Sequence, residues 1–120
     1  TQDRPSLTWA TLQLLGSAGG DNRSPDSHWL RYLGPPLSVP NVSFSAALRE
    51  DEVPDAFFRD RVVVVGARPI VGRFPDRRDE YRTPWPAPGR GTSFMPAAEV
   101  HATQLANVLA GRTLRRPSLG

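Results

Sequence analysis

The chain has 120 residues, with 15 Lys or Arg against 12 Asp or Glu, a formal net charge of +3 and no cysteine. This length fits one domain, and the lack of cysteine excludes disulfides and thiolate metal ligands. The charges are interspersed rather than arranged in a basic stripe with stacking aromatics, which does not favour a nucleic-acid surface. No apolar run approaches the roughly 20 residues needed to span a bilayer.

The first half of the chain predicts one helix, one strand and two short helical turns. Ser6 can cap a helix over residues 7–15, whose apolar side chains predict that it packs on a neighbour. Residues 29–33 predict a strand that ends at a Gly-Pro-Pro turn, because proline cannot donate a ladder hydrogen bond. Short helical turns are predicted at 46–50 and 54–58. Thirteen prolines and ten glycines indicate extensive loops between these elements.

The central prediction concerns the valine segment, which we define as residues 61–67 and which contains four consecutive valines. A short β-branched run without polar alternation is typical of a strand that is buried on both faces. Gly66 allows a sharp turn at the carboxyl end of this strand, where open α/β sheets keep their ligand crevices. Residues 68–96 then predict a long Pro/Gly-rich loop, and loops of this length in a compact domain are usually functional or disordered.

The last predicted helix begins at Pro96 and ends at Gly111. Glu99 lies in its first turn, where the helix dipole favours an anion. Its apolar side is formed by Ala98, Ala102, Leu105 and Leu109. The order of elements therefore predicts a small α/β fold: a sheet whose central buried strand is the valine segment, packed by the N- and C-terminal helices.

Few residue combinations point to catalysis. The glycines after the valine segment do not form the spacing of a dinucleotide or P-loop motif. Glu99 and His101 are two positions apart, so on a helix they point about 200° away from each other and cannot readily share a metal. His101 is interpreted as a buried histidine, bonded to a loop carbonyl or carboxylate. A hydrolase that uses Asp79 and His101 stays open as a less favoured alternative, and no cofactor is predicted.

Several segments together resemble one known family. They are WLRYLGPP at 29–36, FRDRVVVVGA at 58–67, DEYRTP at 79–84 and MPAAEVHA at 95–102. In this order they are similar to the second class of CHASE domains (CHASE type 2), the extracytoplasmic sensory domains associated with cyclases and histidine kinases. The resemblance covers residues from about 29 to 117. One departure is Pro96-Ala97, where the family has Pro-Gly.

The resemblance implies a single sensory domain over residues 1–120, the C-terminal part of a longer domain of this type. It implies an extracytoplasmic position in a membrane-bound receptor, attached through flanking helices outside this chain. The domain itself would be no enzyme, although its parent protein would carry a cyclase or kinase domain. Its expected partners are an unidentified small-molecule or protein ligand and a second copy in a receptor homodimer, but no nucleic acid.

The family motifs also imply a set of ligand-binding or loop-pinning residues. These are Gly66, Asp79, Tyr81, Thr83, Glu99 and His101, and no catalytic or metal-binding residue is among them. In our hypothesis, Asp79 and Thr83 pin the long loop onto the last helix, through His101 or the N–H groups at the start of the helix. A ligand or a neighbouring protomer would then shift that helix. The alternative from another class is a non-sensing dimerisation or spacer domain, which should show a flat apolar patch instead of a pocket.

Overall fold

A computed structural model of the chain describes residues 6–16, 29–68, 79–87, 89 and 91–114. Within these ranges the secondary structure comprises two helices of more than one turn, one short helix, one 3₁₀ turn and two strands. In chain order these are α1 (Leu7–Leu14), α2 (Phe44–Ala47), the 3₁₀ turn (Asp55–Phe57), β1 (Glu80–Pro86), β2 (Thr92–Pro96) and α3 (Ala97–Leu109). The small α/β class predicted from the sequence is confirmed.

The sheet of the described residues is the antiparallel hairpin of β1 and β2, in which Glu80 lies opposite Pro96 and Arg82 opposite Phe94. It lies inside the range predicted as a loop, so that prediction is corrected for residues 80–86 and 92–96. The prolines of this range are compatible with strands because each strand of a two-stranded sheet has one unpaired edge, where no N–H is needed. Residues 69–78 of the predicted loop lie outside the described residues.

The valine segment is not the central buried strand that the sequence predicts. Residues 61–68 form neither helix nor strand, and the exposed fractions are 39% for Val62, 53% for Val63 and 73% for Val65. A valine run reaches full burial only when other elements cover both of its faces. Among the described residues α3 lies against one side of this segment, and no strand pairs with it.

α1 is formed where the sequence predicts it. The Ser6 hydroxyl accepts a hydrogen bond from the Trp9 N–H as the N-cap. Its buried residues are Thr8 and Leu12, whereas Leu14, one of the apolar side chains of the predicted helix, is 90% exposed. The Thr8 hydroxyl donates to the Gln104 side-chain carbonyl at 2.9 Å, so the buried side of α1 is bonded to α3.

α3 also begins and ends as predicted, with Pro96 at its N-cap and Gly111 just after its C-cap. The predicted strand over residues 29–33 is reduced to a single antiparallel bridge between Trp29 and Leu114. Among the described residues, the buried hydrophobic side chains of the core are Leu12, Met95 and Leu105. None of the helices in the described ranges has the length and apolarity required to cross a bilayer.

Candidate functional site

α3 buries a row of polar side chains that are spaced four residues apart. Glu99, Thr103 and Asn107 are respectively 9%, 1% and 4% exposed. Residues four apart share one helix face, and we call this row the polar stripe. A buried polar group is tolerated when it is hydrogen-bonded. Thr103 meets this condition within the helix, because its hydroxyl donates to the Glu99 carbonyl at 2.8 Å.

Glu99 fixes the loop that follows the Gly-Pro-Pro turn. Its carboxylate accepts the Leu37 N–H at 2.9 Å and the Val39 N–H at 3.3 Å. Leu37 has a φ of 75°, in the left-handed region that a side chain with a Cβ rarely adopts. Hydrogen bonds from main-chain N–H groups to a carboxylate are charge-assisted and therefore stronger than neutral ones. The carboxylate thus holds this loop in a strained conformation.

Asn107 fixes a second segment, near the other end of α3. Its side-chain carbonyl accepts the Arg31 N–H at 2.8 Å, and its side-chain N–H₂ donates to the Arg31 carbonyl at 2.9 Å. The Asn107 side-chain amide therefore bonds to both main-chain groups of Arg31, as a residue of a neighbouring strand would. Close by in sequence, the Trp29 N–H donates to the Leu114 carbonyl at 2.9 Å, so residues 29–31 are bonded both to α3 and to the chain that follows it.

The end of the valine segment lies directly against the start of α3. A Cβ added to Gly66 would come within 2.5 Å of the Ala98 Cβ, a distance that real Cβ atoms essentially never show. Only glycine permits this approach without a shift of the main chain. Gly66 was predicted to allow a sharp turn, but no turn is formed at residues 61–68, and the close contact with Ala98 is the reason for a glycine that the structure shows.

A cleft of about 750 Å³ opens beside this contact. It lies between the Glu99-bound loop, the valine segment and the first two turns of α3. Its walls are largely apolar, and its charged side chains are Arg61, Arg68 and Glu99. A pocket of this volume with a few convergent polar groups is typical of small-molecule sites. On the predicted apolar side of α3, Ala98 and Ala102 line this cleft, whereas Leu105 is buried in the core.

The sequence of the chain matches the family model of the CHASE2 domain over residues 2–119, nearly its whole length. The chain belongs to the CHASE2 family. Domains of this family are sensory rather than catalytic, and they form the extracytoplasmic parts of membrane receptors. Comparisons with curated proteins and with solved structures gave no significant match.

Of the six predicted site residues of this CHASE2 domain, Gly66 and Glu99 line the cleft. Asp79 contacts the start of α3 through its main chain, because its carbonyl accepts the Ala97 N–H at 2.7 Å. Tyr81 is 54% exposed and lies opposite Met95 in the hairpin.

Thr83, 5% exposed, binds within the hairpin. Its hydroxyl donates to the Ser93 carbonyl at 3.1 Å and also contacts the Ser93 hydroxyl, which in turn donates to the Trp85 carbonyl. These bonds lie at the irregularity in pairing between Arg82 and Pro86. Thr83 therefore stabilises the hairpin itself, and ligand binding by Thr83 stays a prediction.

His101 is the remaining predicted residue. Its Nδ1 is buried and has no hydrogen-bond partner among the described residues, so the predicted bond to a loop group is not seen at this atom. Within the same ranges, no group of three or more His, Cys, Asp or Glu side chains could hold a metal ion.

Sequence reasoning missed Asn107, Arg61 and Arg68. The one available signal for Asn107 was its spacing: residues 99, 103 and 107 are all polar, and they recur on one face of the predicted α3. Such a row is usually exposed to solvent, so it was not assigned a role. Arg61 is the first residue of the valine segment and Arg68 follows its last, and only the structure places both of them at a cleft.

Proposed function

We propose that this CHASE2 domain is the ligand-binding sensor of a membrane-bound receptor with a cyclase or kinase output. The observation that carries this proposal is the position of the cleft, because its walls include the first two turns of α3. A ligand in the cleft would contact Ala98 and Ala102 on one side and the valine segment on the other. Binding would thereby favour one position of α3 over another.

The lining of the cleft suggests the class of ligand to test first. Apolar walls favour an apolar body, and Arg61 and Arg68 favour an anionic group. The described residues contain one ion pair, between Arg49 and Glu52, so neither cleft arginine is neutralised by an acid among them. We choose decanoate as the first probe and 1-decanol as its uncharged control.

The polar stripe connects the cleft, where Glu99 lies, to the other end of α3, where Asn107 lies. Glu99 contributes to the cleft wall, and Asn107 lies two turns further along α3, about 12 Å away along the helix axis. Asn107 holds the main chain of Arg31, which does not line the cleft. A shift of α3 would therefore change the environment of the Arg31 amide without any ligand contact there.

The test combines binding with hydrogen exchange. Decanoate should raise the melting temperature by mass action, and it should change the exchange rate of the Arg31 amide. The matched variant is Ala102→Leu, which fills part of the cleft and should reduce the decanoate-induced shift in melting temperature. Its control is Ala110→Leu, an equal change at an exposed position outside the cleft.

Ligand binding in the cleft and transmission through α3 can be disproved independently of each other. If neither decanoate nor decanol binds, the cleft is not a site for amphipathic ligands. If a probe binds and leaves the exchange of the Arg31 amide unchanged, α3 does not transmit the event. The alternative, a non-sensing dimerisation domain, is favoured by one observation, the exposed side chains of Val63 and Val65.

A further inference from the structure

The turn beside Glu99 has a main-chain conformation that its own sequence does not favour. The Ser38 N–H donates to the Pro35 carbonyl at 3.2 Å and closes a four-residue β-turn. Pro36, at the second position of this turn, has a negative φ because of its ring, and Leu37, at the third position, has a φ of 75°. This combination defines a type II turn, which normally carries glycine or asparagine at its third position.

The alternative conformation of the same four residues is a type I turn, which is compatible with most residue types. Both types keep the same closing hydrogen bond, and they differ by a rotation of the central peptide, here the Pro36–Leu37 peptide, through about 150–170°. In a type I turn Leu37 would leave the left-handed region, which disfavours a residue with a side chain about 5- to 30-fold. The local sequence therefore favours type I, and a contact from outside the turn has to select type II.

Glu99 supplies this contact, and it uses its two carboxylate oxygens separately. Oε2 accepts the Leu37 N–H at 2.9 Å, and Oε1 accepts the Val39 N–H at 3.3 Å. Because the peptide is planar and trans, rotation of the Pro36–Leu37 peptide would turn its N–H away from Oε2 and direct its carbonyl there instead. A carbonyl oxygen and an ionised carboxylate both only accept hydrogen bonds. The carboxylate of Glu99 therefore opposes the rotation.

We propose that the Pro36–Leu37 peptide is a two-state switch in the wall of the cleft, and that its state depends on whether an acceptor or a donor faces it at Glu99. When only an acceptor is present, the peptide presents its N–H and the turn is type II. When a donor is present, the peptide presents its carbonyl, the turn becomes type I and the strain at Leu37 is released. None of the described residues donates to the Pro36 carbonyl, so the rotation breaks only the bond between the Leu37 N–H and Glu99.

A ligand in the cleft can supply the donor, because Leu37, Val39 and Glu99 all line it. An ammonium group beside Glu99 has three N–H bonds, so it donates to the carboxylate and to the rotated Pro36 carbonyl at once. A carboxylate ligand has no donor and leaves the turn in type II. The switch thus makes the response depend on an ammonium group in the ligand. This regulatory role rests on the ligand binding proposed above, whereas the two states of the turn do not.

Glu99→Gln tests the switch without a ligand. An amide side chain can accept the Val39 N–H through its oxygen and donate to the rotated Pro36 carbonyl through its nitrogen. We expect the φ of Leu37, measured by its amide–α proton coupling constant, to become negative. The nuclear Overhauser effect between the Pro36 α proton and the Leu37 amide proton, which is strong in a type II turn, should become weak. The control Glu50→Gln makes the same change at an exposed position and should alter neither signal.

Substitutions of Leu37 separate the switch from a general loosening of the loop. In Glu99→Ala no side chain holds the turn, so the strain at Leu37 alone drives the rotation. Glycine adopts a positive φ without steric cost, so Leu37→Gly combined with Glu99→Ala should keep the strong Overhauser effect of a type II turn. Leu37→Ala combined with Glu99→Ala is the matched control. It also removes the leucine side chain but retains a Cβ, so it should lose that effect.

Decylamine, which is an ammonium ion at neutral pH like the lysine side chain, is the ligand probe, and decanoate is its counterpart without a donor. Decylamine should raise the melting temperature and weaken the Overhauser effect at Leu37, whereas decanoate should leave this effect strong. If decanoate raises the melting temperature and decylamine does not, or if decylamine binds and the turn stays type II, the proposed function stands and regulation by an ammonium group is wrong. If neither raises it, the ligand site itself fails. A type II turn that persists in Glu99→Gln overturns the switch in every case.

Discussion

Asn107 and Arg31 are 76 positions apart in the chain and are joined by two hydrogen bonds between one side-chain amide and one residue's main chain. Asn107→Ala removes both bonds and leaves the Arg31 N–H and carbonyl without their partner. We expect the free energy of unfolding to fall by about 1–3 kcal/mol, since each of the two part-buried hydrogen bonds contributes about 0.5–1.5 kcal/mol. Urea denaturation measures this, and the exposed Gln13→Ala is the control. If Asn107→Ala and Gln13→Ala lower the free energy of unfolding equally, water replaces the hydrogen bonds of the Asn107 amide without loss of stability.

Glu99→Ala should destabilise the domain by about 1–3 kcal/mol, because the Leu37 and Val39 N–H groups lose the carboxylate that accepts them. Glu99→Gln keeps one acceptor oxygen and should have an intermediate effect. The NMR coupling constant between the amide and α protons of Leu37 reports its φ directly. We expect the φ of Leu37 to leave the left-handed region in Glu99→Ala. In the control Glu50→Ala, which removes an exposed acid, the φ of Leu37 should stay unchanged. An unchanged coupling constant in both would show that the turn itself imposes this φ.

Gly66→Ala places a methyl group against the Ala98 Cβ. Overpacking of this kind typically costs about 1–3 kcal/mol. Ala98→Gly removes the opposing methyl group and costs about 1 kcal/mol through helix propensity. The double variant should therefore be about as stable as Ala98→Gly alone, and a thermal-unfolding double-mutant cycle measures the coupling. Additive effects of the two substitutions would mean that the valine segment does not rest on α3.

Gly111→Ala tests the end of α3 without any steric contact, since no atom lies within 4 Å of the added Cβ. Gly111 has a φ of 63°, and the Arg112 N–H donates to the Asn107 carbonyl at 2.8 Å in the manner of a Schellman cap. The backbone strain should cost about 1–2 kcal/mol. Gly111→Asn should cost less, because asparagine tolerates the left-handed region better. Equal losses for both variants would point to a cause other than φ.

Thr83→Val is nearly isosteric and removes only the hydroxyl that contacts Ser93. We expect a loss of about 1 kcal/mol in the free energy of unfolding, the usual net value of one hydrogen bond. Thr92→Val, at an exposed position in the same hairpin, is the matched control and should be neutral or slightly stabilising, because valine suits a strand. A neutral Thr83→Val would show that the irregular pairing in the hairpin does not need this bond.

The parts of the fold that depend on local signals could be predicted from the sequence. Ser6 caps α1, and Pro96 and Gly111 mark the two ends of α3, because caps and turns depend on neighbouring residues. The hairpin was missed because Pro84 and Pro86 argue against a strand unless its edge is known to be free.

The candidate site depends on long-range contacts, which is why only part of it was predicted. Glu99 was placed correctly in the first turn of α3, but its partners at residues 37 and 39 cannot be inferred from spacing. From the sequence alone, Asn107 and Thr103 resemble exposed polar residues of a helix. Only the structure shows that Asn107 binds the distant main chain of Arg31 and that Thr103 binds the Glu99 carbonyl one turn earlier. The valine segment has the composition of a buried strand, yet burial also requires covering elements, and these are not among the described residues.

A helix that packs through hydrocarbon can slide by small amounts, because dispersion contacts have no fixed direction. The polar stripe restricts the movement of α3 more strongly, since hydrogen bonds weaken steeply once their angle falls below about 120°. A rotation of α3 by a single residue position, about 100°, would break the bonds of Glu99 and Asn107 together. Displacement of this helix therefore has to carry the main chain at residues 31, 37 and 39 with it or break the hydrogen bonds that join them.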